Sequence, residues 1–347
     1  MSHNECPIDS SEASTEPYYD SQATEEYSHQ MDTSSSDTSA ELGLNLTGKW
    51  GPIRLYREAH LDNPSRCLDW CMQAALIFPS MECRRHRQFR ILRKDAQGRW
   101  FWYCSKCDDK RSIFVGSIFY EAHIPPQEIL LLMLGFSQEC NYEEMRRYCI
   151  FNGQEQLLSD TTIAHWYGIF REAVSDQFIA GVSAGSKIGG FGHIVQVDEA
   201  MIGRRKYNRG RLVEGTWVVG LIDDTGDVRL EVCRERNADN LTDIITRHVE
   251  IGSEVHTDSW RGYNTERLAW AGMTHKRVNH SVEFVAEDGT HTQRIESQWR
   301  ALRRHFSPGG IRKEDIADHL IEYAWRRKCK IYNVDPFAEL IKILSAR

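Results

Sequence analysis

The hydrophobic positions divide the chain into stretches of different texture. Apolar residues are sparse as far as Gly48, then fall into short runs and helical spacings, and become strand-like after Ile194. Around Cys67 and Cys71 the pattern over 67–76 predicts a helix with both thiols in its core. Arg99-Trp100-Phe101-Trp102-Tyr103 predicts a β-strand, with Ala96-Gln97-Gly98 as the hairpin turn before it. Pro125-Pro126 opens a buried helix over 127–136, since a proline in the first turn forfeits no helical hydrogen bond. Asn141 with Glu144 three residues later predicts a capped short helix. Ser159-Asp160 starts a third, with Ile163, Trp166, Phe170 and Val174 on one face. Residues 181–186, rich in glycine and serine, are expected to be a linker.

Beyond that point, 194–198, 216–222, 228–233 and 254–258 read as strands, with a turn at 223–227 and a helix over 238–249. The acids Asp223, Asp224 and Asp227 are explained as turn formers. A helix over 292–306 buries Ile295, Trp299, Leu302 and Phe306. A further helix over 313–328, with Ile316, Leu320, Tyr323 and Ala324 inward, closes the second half.

Charge changes the picture only when read by region. The chain has 347 residues, 41% hydrophobic and 27% charged, enough for a soluble protein of more than one domain. Its net charge of −7 at face value argues against a nucleic-acid partner. Yet Met1 to Gly48 holds ten acids and no Lys or Arg, so the remainder carries 43 basic against 40 acidic residues. The acidic stretch is expected to be disordered, as a plain solvating tail or as a regulatory or DNA-mimicking arm. It lacks the pattern of a signal peptide, and the apolar run at 129–136 is far too short to span a bilayer, so an intracellular protein is expected. Ten cysteines in a reducing compartment then point to metal binding and not to a disulfide framework.

Cys83-x2-His86, seventeen residues, then Cys104-x2-Cys107 is the spacing of a zinc ribbon, because two tight turns together close the tetrahedral shell that structural Zn2+ prefers. From Cys83 to Arg111 there are ten Lys or Arg against three Asp. That basic module suits phosphate backbones through Arg84, Arg85, Arg87 and Lys106, or is a solvated face. The three helices that follow form either a helix-turn-helix unit, presenting Thr161, Thr162 and His165 to DNA, or an ordinary linker domain.

Asp198 and Asp258 each follow an apolar strand, where a lone carboxylate is costly to bury. Facing each other they would repel, so the pair implies Mg2+ or Mn2+. Glu199 points to the opposite face of its strand. Glu296, Arg300 and Arg303 line one flank of the 292–306 helix, offering a carboxylate to metal and guanidiniums to phosphate, or simply a surface ion pair. Arg204, Arg205, Lys206, Arg209 and Arg211 form a basic loop after Asp198, either a DNA contact or a solvated hairpin tip. His256 and His291 stand close to the acids as auxiliary candidates or as packed, hydrogen-bonded histidines.

Val197-Asp198-Glu199, the run from His256 to Tyr263, and the run from His291 to Trp299 resemble the three acidic motifs of DDE transposases of the Merlin superfamily and its bacterial insertion-sequence relatives. The ribbon and Gly116-Ser117-Ile118-Phe119 are also similar to that family, so the likeness covers most of residues 83–330. Gln293 stands where relatives often have Asn, and His86 where Cys is frequent.

The resemblance implies an RNase H-like core with Asp198, Asp258 and Glu296 as catalytic, metal-binding triad, holding two Mg2+ or Mn2+ ions; Gln293 would be an auxiliary contact. The implied architecture is multidomain α+β: an acidic tail (1–48), a helical segment (49–82), a zinc ribbon with one structural Zn2+ (83–122), a helix-turn-helix-like DNA-binding module with linker (123–185), and the RNase H-like α/β core with C-terminal helices (186–347). It implies a nuclear cut-and-paste transposase that binds terminal inverted repeats and target DNA as a homodimer or higher oligomer. A domesticated DNA-binding protein without cleavage and an RNase H-like nuclease are the alternatives.

Overall fold

The structure, a computed structural model, describes residues 44–148, 158–202, 215–259, 262–279, 285–306 and 311–345. Packing is already under way at Leu46, whose carbonyl takes the Trp50 indole N–H at 3.2 Å, a few residues before the compositional boundary at Gly48. Two proline-initiated helices follow, α1 (Pro52–Glu58) and α2 (Pro64–Gln73). Asn63 caps α2 by accepting from the Arg66 N–H, and Cys67 and Cys71 are fully buried as expected.

The ribbon consists of a short hairpin, β1 (Glu82–Cys83) with β2 (Gln88–Phe89), and an antiparallel sheet of β3 (Ile91–Lys94), β4 (Trp100–Tyr103) and β5 (Lys110–Ser112). The β3–β4 turn closes through Gly98, whose φ of +78° is costly for a side-chain-bearing residue. Helix α3 (Pro126–Ser137) is buried almost throughout. Helix α4 (Tyr142–Tyr148) begins with the expected reciprocal cap, Asn141 Oδ1 accepting from the Glu144 N–H and Glu144 Oε2 from the Asn141 N–H.

Helix α5 (Asp160–Ser183) is capped by Ser159 and runs 24 residues. Of the segment expected as a linker, 181–183 form the end of α5 and 184–186 leave it. Buried residues of α1 to α5 share a core with Trp102 and Ile113 of the ribbon and with C-terminal residues such as Trp325 and Phe337.

After β6 (Ile188–Gly189), a five-stranded mixed sheet forms from β7 (Ile194–Ile202), β8 (Thr216–Asp223), β9 (Val228–Cys233), β11 (Glu254–Asp258) and β12 (Thr274–Val278). Its order is β12-β11-β7-β8-β9: the meander β7–β8–β9 is antiparallel, and β11 and β12 add in parallel beside β7. Helix α6 (Ala238–His248), leading into β10 (Val249–Glu250), and α7 (Thr265–Trp270) make the parallel crossovers.

Side-chain alternation then decides the two faces. Val195, Val197, Val219 and Leu221 pack on α6 and α7, whereas Ala200, Ile202, Val218 and Ile222 pack on α8 (Gln293–His305) and α9 (Ile316–Ile331). On α8 the buried set is Ile295, Gln298, Trp299 and Leu302; Phe306, expected in the stripe, is half-buried at the C-cap. Each large apolar side chain of α8 contributes about 1.5–3 kcal/mol of burial.

Helix α9 serves two cores, giving Ile316 and Leu320 to the sheet and Ile321, Trp325 and Cys329 to the helical core. Its successor α10 (Pro336–Ser345) lies wholly in the latter, where Phe337 meets Trp50 at 5.1 Å between ring centroids. The described residues accordingly belong to one compact unit. No described helix is long and apolar enough to cross a membrane.

Candidate functional site

Two groups of side chains have the composition of chemical sites. The first is in the ribbon, where ligand atoms of Cys83, His86, Cys104 and Cys107 all lie within 4.8 Å of one another. Cys83 Sγ is 3.8 Å from Cys107 Sγ and 3.7 Å from His86 Nδ1, and Cys104 Sγ is 3.6 Å from the same nitrogen. A tetrahedron with Zn–S bonds of about 2.3 Å and a Zn–N bond of about 2.0 Å has edges of roughly 3.5–3.8 Å, so the donor set fits zinc. Burial opposes ionisation of Cys104, but the backbone N–H groups of Lys106 and Cys107 and the neighbouring thiols draw its pKa down to about 6, toward the thiolate a metal needs.

Around this centre Arg84, Arg85, Arg87 and Lys106 are exposed. Further cations lie over rings of the three-stranded sheet: Arg93 on Tyr103, Lys94 on Trp100 and Lys110 on Phe101, at 4.2, 4.3 and 5.1 Å from the centroids. Arg90 turns inward and pairs with Asp109 at 2.7 Å, so the ribbon's basic residues do not all face solvent.

The second group is built by the sheet. Parallel pairing sets Val195 against Val255 and Gln196 against His256, and two residues further along each strand stand Asp198 and Asp258. Asp198 is mid-strand, since β7 continues to Ile202, and was expected at a strand end. The strand goes on because the following residues pair with β8 up to Ile202–Thr216, with Ala200 and Ile202 buried on the same face as Asp198.

Helix α8 packs on the face that carries Asp198, and the Trp299 indole N–H donates to Asp198 Oδ2 at 2.7 Å. Burial raises the Asp198 pKa, the Trp299 hydrogen bond opposes this, and the charges of Asp258 and Glu296 add to the rise. Glu296 is exposed in the first turn of α8, and its Oε1 accepts from the Thr292 hydroxyl at 2.7 Å. The three acids thus feel one another, but their oxygens do not converge within 4.8 Å as the ribbon ligands do. The Thr292 bond draws Glu296 back onto its own helix. The donors of the three acids are hard carboxylate oxygens, the chemistry that suits Mg2+ or Mn2+.

Glu199 lies on the other face, as strand alternation requires, with its side chain 1% exposed and paired with Arg236 at 3.1 Å. Burial raises its pKa against the Tyr263 hydrogen bond and the Arg236 charge. Asp223 accepts from Thr225 and from the Asp227 N–H, Asp227 accepts from Val228 and Arg229, and Asp224 pairs with His193, so these acids build the turn. His256 is 2% exposed, bonded to Glu254 at 2.7 Å and accepting from the His291 N–H, which is the packed arrangement. His291 meets the Gln196 amide at 3.1 Å, and Gln293 is exposed as the first residue of α8.

Arg300 and Arg303 are exposed on the same helix. Thr161 and His165 are exposed and Thr162 half-buried in the first turns of α5, while the connection from α4 lies outside the described residues. So do Arg204, Arg205, Lys206, Arg209 and Arg211, and the first 43 residues of the acidic tail.

Sequence reasoning missed Gln196, Gly220 and the Trp299 N–H, for each reads as an ordinary strand or core residue until the sheet and α8 are in place. It also missed a second group with ligand-like spacing among the described residues, His305, His319 and Glu322. Both Glu322 oxygens are taken, by Arg171 at 2.7 Å and Arg326 at 2.5 Å, and two guanidiniums at the carboxylate disfavour a cation.

With this geometry in view, residues 189–327 match the family described as the ISXO2-like transposase domain, a DDE transposase family. The match spans the whole five-stranded sheet, α8 and most of α9, and points to a DNA transposase that binds DNA. No match was found among curated proteins.

Proposed function

We propose that the chain is a cut-and-paste DNA transposase, with Asp198, Asp258 and Glu296 as its catalytic, metal-binding carboxylates on an RNase H-like core. One observation carries this reading: acids from two adjacent parallel strands and from the helix packed on them share one electrostatic site, in which burial and the other two charges raise the Asp198 pKa. A purely DNA-binding module has no need for that costly arrangement. Divalent cations, two per site, held by these oxygens would neutralise charge in an in-line phosphodiester displacement.

The chain's own residues prepare this chemistry. Trp299 fixes the Asp198 carboxylate through its indole N–H. Arg300 and Arg303, one and two turns along α8 from Glu296, supply cationic contacts for the strand being cut. The ribbon, with zinc on Cys83, His86, Cys104 and Cys107, and the N-terminal turns of α5 with Thr161, Thr162 and His165 would grip the terminal inverted repeats. The Arg204–Arg211 loop would add phosphate contacts. Two ends must be cut in concert, so the working form is a homodimer or larger, and its place is the nucleus.

The test is to incubate the purified full chain with labelled duplex carrying the element's ends, target plasmid, and Mg2+ or Mn2+. Metal-dependent cleavage at the ends and joining of the 3′ ends to the plasmid are expected, both abolished by Asp258→Asn. Tight binding with no cleavage would replace the reading by a domesticated DNA-binding protein, and cleavage without joining by a nuclease.

A further inference from the structure

Helix α8 lacks a cap of its own. At its N-cap, the Thr292 side chain accepts from no backbone N–H of the first turn, and its hydroxyl instead donates to Glu296. The open N–H groups of Arg294 and Ile295 both point to Gln196 Oε1, at 2.9 and 3.3 Å. Counted from Thr292, these are the second and third helical positions, the pair an N-cap side chain serves. Gln196 is 1% exposed, and its Nε2 lies 3.1 Å from His291 Nδ1, so both ends of the amide are engaged. It stands 98 residues from Arg294 in sequence, on β7, two positions before Asp198 and on the same face.

We propose that Gln196 is the cap of α8 and thereby the positioning residue that sets Glu296 against Asp198. This rests on the reading of those acids given above and adds the element that keeps them in register. Two ties hold α8 to β7: the Gln196 cap at Arg294 and Ile295, and the Trp299 bond to Asp198. Two strand residues span about 6.6 Å, and the four to five helical residues between the ties span about 6–7.5 Å, so both ties can be held at once. Glu296 is the next residue after the capped pair. Any slip of the helix along the strand would break the cap before Glu296 had moved by one turn.

The experiment compares the full-length parent with Gln196→Met, which keeps the bulk and removes the acceptor; Gln196→Glu, which keeps the acceptor; and Thr292→Val. Amide hydrogen exchange across 293–299, without metal or DNA, should quicken at least about 5-fold in Q196M, the scale of losing a cap, and stay near parental in Q196E and T292V. The Mn2+ concentration for half-maximal end cleavage should rise about tenfold in Q196M with KM for DNA unchanged, and return toward the parent in Q196E.

Parental exchange in Q196M, or exchange quickened equally by T292V, overturns the cap. Quickened exchange with unchanged Mn2+ dependence overturns the positioning role. Should Q196M fail to fold, fast exchange in Q196E would by itself refute the cap, and slow exchange would support it. A parent that neither cleaves nor joins DNA refutes the transposase reading instead, and leaves the exchange result to decide the cap.

Discussion

Gly220 stands opposite Asp198 in the β7–β8 register, and the Trp299 ring lies against its bare Cα. A Cβ at this position would lie 2.5 Å from Trp299 Cη2, 2.8 Å from Ile295 Cδ1 and 3.0 Å from Trp299 Cζ2. Carbon atoms settle at about 3.5–4.0 Å, so in Gly220→Ala either α8 withdraws by roughly 1 Å or the indole leaves its position. The indole is held by Asp198 at 2.7 Å, which makes withdrawal of the helix the expected response.

Overpacking of this kind costs about 1–3 kcal/mol, to be read from urea unfolding of the full chain. Because the displaced helix carries both Glu296 and the Trp299 donor, metal-dependent end cleavage should fall about 10²-fold, the scale of a 1 Å misplacement at a reacting centre. Trp299→Phe removes two of the three clashing atoms, those at 2.5 and 3.0 Å, and leaves Ile295 Cδ1. The double variant should therefore be more stable than the sum of the single losses predicts, by at least about 0.5 kcal/mol. A parental unfolding midpoint for Gly220→Ala, or strict additivity in the double variant, would refute the reasoning.

Three further outcomes are expected. The purified chain should carry a single zinc by elemental analysis, and either Cys104→Ser or a strong chelator should release it and shift the fluorescence of Trp100 and Trp102 as the ribbon unfolds. Glu322→Gln should destabilise by about 3 kcal/mol in urea unfolding, since it leaves the partly buried Arg171 and Arg326 facing a neutral group; a loss below about 1 kcal/mol would show that the network is not held by charge. The pH dependence follows from His275 and His319, whose pKa values burial pushes down to about 4. A histidine held neutral in the fold contributes stability that is fully present above its unfolded pKa of about 6.5 and lost as pH falls toward 4. The unfolding midpoint should drop over that window, less steeply in a His275→Asn/His319→Asn variant; parallel curves would contradict the assignment.

Local patterns were legible wherever the physics is local. The reciprocal cap at Asn141 and Glu144 and the turn acids at 223–227 depend on neighbours within a few residues, and both form as read. The strand 254–258 and the apolar set Ile295, Trp299 and Leu302 follow from periodicity in the same way. Strand β12 and helix α7 escaped notice because Thr274-His275-Lys276-Arg277-Val278 is polar, and an edge strand does not need the apolar alternation of a central one. The 181–186 stretch has linker composition, and α5 still runs three residues into it before the chain turns at 184–185.

By itself the sequence showed the paired x2 spacings of Cys83, His86, Cys104 and Cys107, the acids proposed for the site, and the bounds of elements such as 228–233 and 254–258, since spacing, side-chain chemistry and periodicity act over short reach. Only the tertiary structure decided that the C-terminal helices complete the N-terminal core, and that Gln196, Gly220 and Trp299 bear on the acidic site. Gln196 and Arg294 are 98 positions apart, and their bond exists only after the sheet has paired and α8 has packed. Nothing in the nearest neighbours of a glutamine on a strand says that it will cap a helix, because the open N–H groups belong to another element and are brought to it by burial of Ile295, Trp299 and Leu302.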